Sequence, residues 1–421
     1  MTREQAVTEA SRCLVCYAAP CEEACPAYVR ITTFIRRIRF GDFGAALRKI
    51  VEDNVLAGTC GMTCPKDLQC EQACVLGAIG KPIAIRDLQL AAHLYGFSGL
   101  ASVPRPGAAR VAVIGGGPAG LACAHYLKKL GLGAVIYDRA DRLGGMLTRG
   151  IPEYRIATEV AEREIGFVTD GLQVTRSAGA RDLSLAGLKQ QGFDAVFLAT
   201  GLWESRLPQV EGRDLPGVYD GSALLADLAE GRAVLPAEGS RVAVVGGGNT
   251  ACDVALSLKL RVGGDVTVYY RRTRDEMPAF THEINDALVN GVKFEYLVSP
   301  VAVEGKARVL GLRLVRNRLG EPDRSGRKRP VPIEGSEFKV ACDAVVFAAG
   351  GGPDAGWLER AFGVAPGEAG RIPVDMATLA TAVPGVFAGG DLVREKGLVV
   401  EAVRDGRIAA SSIADYLGEH K

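Results

Sequence analysis

The sequence has almost no net charge, since 50 Lys and Arg against 49 Asp and Glu leave +1 over 421 residues. Bulk attraction to nucleic acid or to an anionic membrane is therefore not its basis of action. No uninterrupted apolar run approaches the roughly 18 residues that a spanning helix needs. The N-terminal stretch MTREQAVTEASRC lacks the apolar core of a secretory signal. A soluble, cytoplasmic protein is expected, and its cysteines are not expected to form a disulfide framework. Histidines number four, with none before His93. The Asp, Glu and His residues carry no local motif of a hydrolytic triad, so no catalytic acid or base is singled out.

What the chain does have is glycine, 53 residues of it, within a composition that is 48% hydrophobic. Its length predicts roughly three domains. The most informative stretch is Val111–Gly120, VAVIGGGPAG. Val111, Ala112, Val113 and Ile114 read as a buried parallel strand. They run into Gly115-x-Gly117-x-x-Gly120 and then a helix-compatible run, the context that a dinucleotide fingerprint requires. Gly115 permits the tight turn, Gly117 lets backbone approach a pyrophosphate, and Gly120 lets the helix pack close to the strand. A second strand, GAVIYD, ends at Asp138, at the spacing of a ribose contact. Beyond it, Gly144 and Gly145 allow the chain to pass tightly over a large planar ligand.

The order repeats downstream. RVAVVGGGNTACDVALSLKL is again strand, Gly246-x-Gly248-x-x-Ala251 and helix, but the next strand, DVTVYY, ends in Arg271-Arg272. Arginine at that position suits a 2′-phosphate; two solvated loop arginines are the plain alternative. The loop 320–330, GEPDRSGRKRP, reads as a solvated hairpin tip. Near the end, the strand Val386–Ala388 runs into Gly389-Gly390-Asp391, where the aspartate either binds a ribityl hydroxyl or caps the following helix.

Eight of the eleven cysteines lie between Cys13 and Cys74. They form two runs, Cys13-x2-Cys16-x4-Cys21-x3-Cys25-Pro26 and Cys60-x3-Cys64-Pro65-x5-Cys70-x3-Cys74. Structural zinc usually takes two CxxC-type pairs or Cys/His mixtures, whereas a Cys-Pro ending is a mark of iron–sulfur runs. Iron–sulfur ligation is favoured, with zinc as the competitor. Cys123, Cys252 and Cys342 are scattered through apolar or strand-like contexts.

GGGPAG, GGMLTRGIPEYRI, GGGNTACDVA and GVFAGGD, in this order, resemble a flavoprotein of the disulfide-reductase type with tandem FAD and NADPH domains. With the cysteine runs in front, the chain resembles the family of the glutamate synthase small subunit and the flavin/iron–sulfur subunit of bacterial NAD(P)-dependent dihydropyrimidine dehydrogenases. The resemblance implies an α/β fold of tandem Rossmann-like FAD and NAD(P)H domains behind an α-helical domain holding two iron–sulfur clusters. The expected boundaries are 1–102 for the helical domain, 103–238 and 351–421 for the two parts of the FAD domain, and 239–350 for an inserted NADPH domain.

For the flavin, the resemblance implies contacts from Gly115, Gly117, Gly120, Asp138, Gly145, Arg155 and Asp391, with a helix starting near Val400 aimed at the ring. For NADPH, with NADH as the lesser option, it implies Gly246, Gly248, Asn249, Thr250, Arg271 and Arg272. It assigns Cys13, Cys16, Cys21 and Cys74 to one [4Fe–4S] cluster. Cys25, Cys64 and Cys70 hold the second, completed by Gln89, where dihydropyrimidine dehydrogenases carry glutamine and glutamate synthase small subunits glutamate. Cys60 has no ligand role.

Relatives that exchange electrons through a dithiol carry a cysteine pair beside the flavin. GGMLTRGIPEYRI has none, so the clusters are the expected exit. The expected function is electron input, from NADPH to FAD to the clusters to a separate FMN- and iron–sulfur-containing subunit that reduces uracil or thymine. The first alternative replaces that partner with the glutamate synthase large subunit, to which YYRRTRDEMPAF points. A stand-alone diaphorase or redox sensor is the second. The first two imply a hetero-oligomer.

Overall fold

The apolar run ending at Ile114 forms the middle strand of a five-stranded sheet in a computed structural model. That model describes all residues except 102, 104–106, 178–181, 324, 325, 369, 396, 420 and 421. Pro104, Arg105 and Pro106, in the Pro/Gly-rich linker VPRPGAAR (103–110) between the cysteine runs and the first glycine fingerprint, and Arg324 and Ser325 of the hairpin tip, thus lie outside the described residues. The strand order is Val386–Ala388, Ala195–Leu198, Ala109–Ile114, Gly133–Asp138 and Gln173–Arg176. Every pairing is parallel. Central parallel strands are buried on both faces, which is why Val111–Ile114 is uniformly apolar. Ile114, Val135, Val196, Leu198, Phe362 and Val386 share one core.

The chain divides into two compact units. The first comprises Met1–Thr148, Glu153–Leu202 and Pro353–Lys421, and the second Arg149–Pro152 and Trp203–Gly352. The first therefore includes the cysteine-rich segment together with the first sheet. That segment is helical, as its 3.6-residue periodicity requires. In Ile31–Arg39, Ile31, Phe34, Ile35 and Ile38 form the buried face while Arg36, Arg37 and Arg39 occupy the last turn. Phe43–Val51 begins at Asp42, whose side chain accepts from the Ala45 N–H at 2.8 Å. The helices Ala57–Thr63 and Ile85–Gly96 pack so closely that a Cβ on Gly61 would come 2.9 Å from the Leu90 nitrogen.

The second unit repeats the parallel design, with strand order Val218–Asp220, Ala344–Phe347, Val242–Val245, Val266–Tyr270 and Lys293–Tyr296. Its boundary falls at Trp203 rather than at residue 239. Val218–Asp220 pairs with Ala344–Phe347, and helix Gly221–Ala229 supplies Leu224 and Leu225 to the same core. An antiparallel sheet of Val298–Gly305, Val309–Pro322, Phe338–Ala341 and Lys328–Pro332 joins it through Val303, Leu312, Leu314, Val345 and Phe347. Among the described residues, no helix is long and apolar enough to cross a membrane.

Candidate functional site

The glycine loop of the first unit is built for close approach. Gly115 has φ +108°, and a Cβ there would come 2.4 Å from the Ala199 carbonyl oxygen. A Cβ on Gly120 would lie 1.8 Å from the Gly115 oxygen, so any larger residue would push the helix Pro118–Lys129 off the strand. Gly117 differs, because a Cβ there meets nothing nearer than Gly145 Cα at 3.9 Å. Its missing side chain leaves a cradle at the start of that helix, where free N–H groups and the helix dipole favour a pyrophosphate. The Gly144–Gly145 turn is fastened over this loop by the Gly144 N–H, which donates to the Gly116 oxygen at 2.8 Å.

Asp138 ends its strand with both carboxylate oxygens oriented by backbone, Oδ2 accepting from Gly116 N–H at 2.7 Å and Oδ1 from Ala140 N–H at 2.8 Å. Arg155 is half-buried in the turn before helix Thr158–Thr169. Asp391 sits in the short turn Gly390–Leu392. Burial pushes its carboxyl above the usual carboxylate range, against the pull of Arg371. Its neighbour Asp405, wholly buried, shapes the turn by accepting from Gly390 N–H at 3.0 Å and pairing with Arg394 at 2.6 Å. Asp391 itself, half-buried and without a hydrogen-bond partner among the described residues, fits a ligand hydroxyl. The helix Val399–Glu419 begins one residue before the expected Val400. It crosses Pro118–Lys129 at Gly406, where a Cβ would lie 2.4 Å from the Ala119 oxygen.

In the second unit a Cβ on Gly246 would come 2.5 Å from the Ala348 oxygen, while one on Gly248 would meet nothing within 4 Å. The helix Asn249–Val262 starts there, with half-buried Thr250 in its first turn. Asn249 Oδ1 accepts from Phe280 N–H at 2.9 Å. Arg271 is exposed as a residue, and partial desolvation of its guanidinium together with the charges of Arg272 and Arg327 lowers its pKa. Arg272 corrects the sequence reading. Its side chain is 3% exposed, pairs with Asp323 at 2.6 Å and donates through Nε to the Lys328 oxygen at 2.6 Å. In the bend that follows strand Val266–Tyr270 it turns inward, where it holds the 320–330 hairpin through Asp323 and Lys328. That hairpin brings Arg327 near Arg271, a candidate phosphate contact that adjacency in sequence does not reveal.

Cys13, Cys16, Cys21 and Cys74 line one small cavity, with Leu14, Ile31, Ile35, Ile83 and Ile85 behind them. Burial pushes the Cys21 thiol up to about 12, and Cys13 and Cys74 add to the rise. Burial likewise raises Cys25 to about 11, with Cys64 adding to it, and raises Cys70, which feels both Cys64 and Cys25. Cys64 is raised first by its hydrogen bond with Cys60 and then by burial. Such thiols ionise only beside positive charge, as a metal cluster supplies. Val15, Ala18, Tyr28 and Gln69 all have φ between +48° and +65°. The turns at Val15 and Tyr28 aim N–H groups at sulfur, Val15 at Cys13 and Ala27, Tyr28 and Val29 at Cys25; separately, the Ile83 N–H donates to Cys74 sulfur over 3.5 Å. Gln89 is 8% exposed, and its Nε2 donates to the Ala57 oxygen at 2.7 Å. Among the described residues no three His, Cys, Asp or Glu side chains are set to hold a single metal ion; the first four thiols ring a cavity instead. Cys123, Cys252 and Cys342 are buried packing residues.

Two family profiles match the chain: Pyridine nucleotide-disulphide oxidoreductase over residues 109–406, and Dihydropyrimidine dehydrogenase domain II, 4Fe-4S cluster, over residues 1–95. The beta subunit of NADP(+)-dependent formate dehydrogenase from Moorella thermoacetica is 40% identical over 95% of this chain and 60% of its own length. The glutamate synthase [NADPH] small chain of Halomonas elongata is 37% identical over 98% of this chain and 91% of its own. The chain thus spans only 60% to 66% of some curated relatives. Among solved structures, thioredoxin reductase of T. acidophilum matches 74% of this chain and 99% of its own, with a TM-score of 0.57 at 22% identity, a likeness of fold alone.

Proposed function

The chain belongs to the pyridine nucleotide-disulphide oxidoreductase family, in the branch of the glutamate synthase small chain with an N-terminal 4Fe-4S domain, and from that premise we propose that it is the electron-input subunit of a larger oxidoreductase. The carrying observation is that the cysteine-lined cavity and the glycine cradle belong to one compact unit. When bound, FAD takes hydride from NADPH and the iron–sulfur groups carry the electrons onward singly.

In this reading Gly115, Gly117, Gly120 and Gly145 seat the flavin pyrophosphate, and Asp138 takes a ribose hydroxyl. Arg155 and Asp391 hold the rest of the flavin. Gly246, Gly248, Asn249 and Thr250 seat NADPH, with Arg271 on its 2′-phosphate. Cys13, Cys16, Cys21 and Cys74 hold one cluster, and Cys25, Cys64, Cys70 and Gln89 the other. The side chains orient and bind, and no acid or base is required of them.

The partner we assign is a separate FMN- and iron–sulfur-containing subunit that reduces uracil or thymine to the 5,6-dihydropyrimidine. The dihydropyrimidine dehydrogenase description of the 4Fe-4S domain and glutamine at position 89 support it. A glutamate synthase large subunit is the second reading, favoured by the 91% coverage of the Halomonas small chain. Anaerobic co-purification of the tagged chain from its host tests both. We expect an FMN-bearing partner and uracil-dependent NADPH oxidation. A glutaminase-bearing partner with glutamine-dependent oxidation replaces the first reading with the second, and recovery of neither activity defeats both.

A further inference from the structure

The helix Ala57–Thr63 runs into Cys64, and the helix Ile85–Gly96 carries Gln89. One buried carboxylate from the flavin-binding part of the same unit reaches both. Glu164, on helix Thr158–Thr169, is 1% exposed. Its Oε1 accepts from the Gly58 N–H at 2.5 Å, and its Oε2 accepts from the Thr59 N–H at 3.1 Å and the Thr59 hydroxyl at 2.5 Å. His93, wholly buried one turn beyond Gln89, brings Nδ1 to 3.2 Å from Oε1, outside hydrogen-bonding geometry. The junction has no slack, since a Cβ on Gly58 would lie 2.6 Å from the His93 ring and 2.8 Å from Val160 Cγ1.

The Gly58 N–H and the Ala57 carbonyl belong to one peptide plane. Glu164 holds the N–H side of that plane, and the carbonyl side accepts from Gln89 Nε2 at 2.7 Å. A carboxylate on the N–H polarises the peptide and strengthens its carbonyl as an acceptor. The amide of Gln89 has two chemically different ends. With the nitrogen drawn to Ala57, the oxygen is left as the end available to a metal, and an amide offers iron a usable lone pair only on oxygen.

We propose that Glu164 is a positioning residue for the second cluster, acting through the Ala57–Gly58 peptide to present the oxygen of Gln89 to iron. The proposal rests on the two-cluster reading above. It makes ligand geometry in the helical segment depend on a side chain from the flavin-binding part.

The test uses the full chain, reconstituted anaerobically to about eight iron atoms and reduced with dithionite. Its readouts are electron paramagnetic resonance, midpoint potential, iron and FAD. The signal lost in Cys64→Ser identifies the second cluster. In Glu164→Gln that signal should change its g-values and its midpoint potential, while the signal that survives Cys64→Ser and the FAD content stay as in the wild type. Thr59→Val, which removes one donor to Glu164 and preserves bulk, should shift it the same way by less. Gln89→Glu presents oxygen at both ends, so adding it to Glu164→Gln should remove the sensitivity to Glu164; a purely structural role predicts no such rescue. Wild-type signals and potentials in both Glu164→Gln and Thr59→Val overturn the proposal, as does absence of rescue. Iron and spectra unaltered by Cys64→Ser would overturn the second-cluster reading itself, and the positioning role with it.

Discussion

Arg271 and Arg272 are adjacent and chemically identical, yet one strand end sends them to opposite fates. Arg272 is 3% exposed and bonded to Asp323 and Lys328, so its charge is spent on folding the hairpin. Arg271 stays exposed with Arg327 nearby. Arg271→Glu should raise KM for NADPH by about tenfold or more while changing that for NADH far less, as loss of a phosphate contact of about 1.5–3 kcal/mol requires. Steady-state kinetics with both nucleotides checks this, and an unchanged preference refutes the assignment. The dipeptide was legible as a phosphate signal, but which arginine served it was not. That choice depends on Asp323, a partner 51 residues away, and no local pattern reports such a contact. Gly120 was legible because its constraint is local, its Cβ meeting the Gly115 oxygen of the same strand–turn–helix, whereas Gly115 faces Ala199 and Gly117 faces Gly145.

The same contrast holds for whole elements. Pro118–Lys129 was readable as the phosphate-bearing helix from its glycine turn, but its middle carries His125, which is 1% exposed with neither ring nitrogen bonded. Burial, aided by Lys129 and Lys128, pushes its pKa down to about 3. The unfolded chain binds the proton at the ordinary value of about 6.5, so unfolding takes up a proton below that pH. Stability is therefore full above about pH 6.5 and is lost as pH falls toward 3, by at most about 1.4 kcal/mol per unit. His125→Phe should flatten this loss between pH 7.5 and 5.5 and raise the unfolding midpoint, since the ring already packs 5.6 Å from Phe167. Thermal unfolding at the two pH values reads it directly; an unaltered pH slope would exclude His125 as the cause. The short strand Val218–Asp220 is the opposite case. Three half-buried residues carry no periodicity, and only their pairing with Ala344–Phe347 defines them, which is why the second unit starts earlier than its glycine fingerprint suggested.

At the scale of the whole chain, sequence distance and spatial distance part company. The helical segment and the flavin sheet read as separate domains because a Pro/Gly-rich stretch divides them, yet buried contacts merge them into one unit. Arg407, on the last helix, pairs with Asp53 at 2.9 Å and donates to the Ala27 oxygen at 3.0 Å. Its side chain is 26% exposed and that of Asp53 is 16%. Arg407→Ala leaves the Ala27 oxygen without its side-chain donor and Asp53 with Arg30 alone, so we expect a loss of about 1–2 kcal/mol, read as a lower urea midpoint for the transition that releases FAD fluorescence. No change in that transition would mean the last helix is held by packing alone. One consequence concerns synthesis. The outer strand Val386–Ala388 pairs with Ala195–Leu198, and Asp391 and Arg407 follow it. On the ribosome, the first five helices and the glycine loop emerge long before the segment that closes the sheet over them. Until residue 407 has been translated, the loop after Cys25 lacks the arginine that ties it to the last helix, so the first unit can close only after both of its distant parts have emerged.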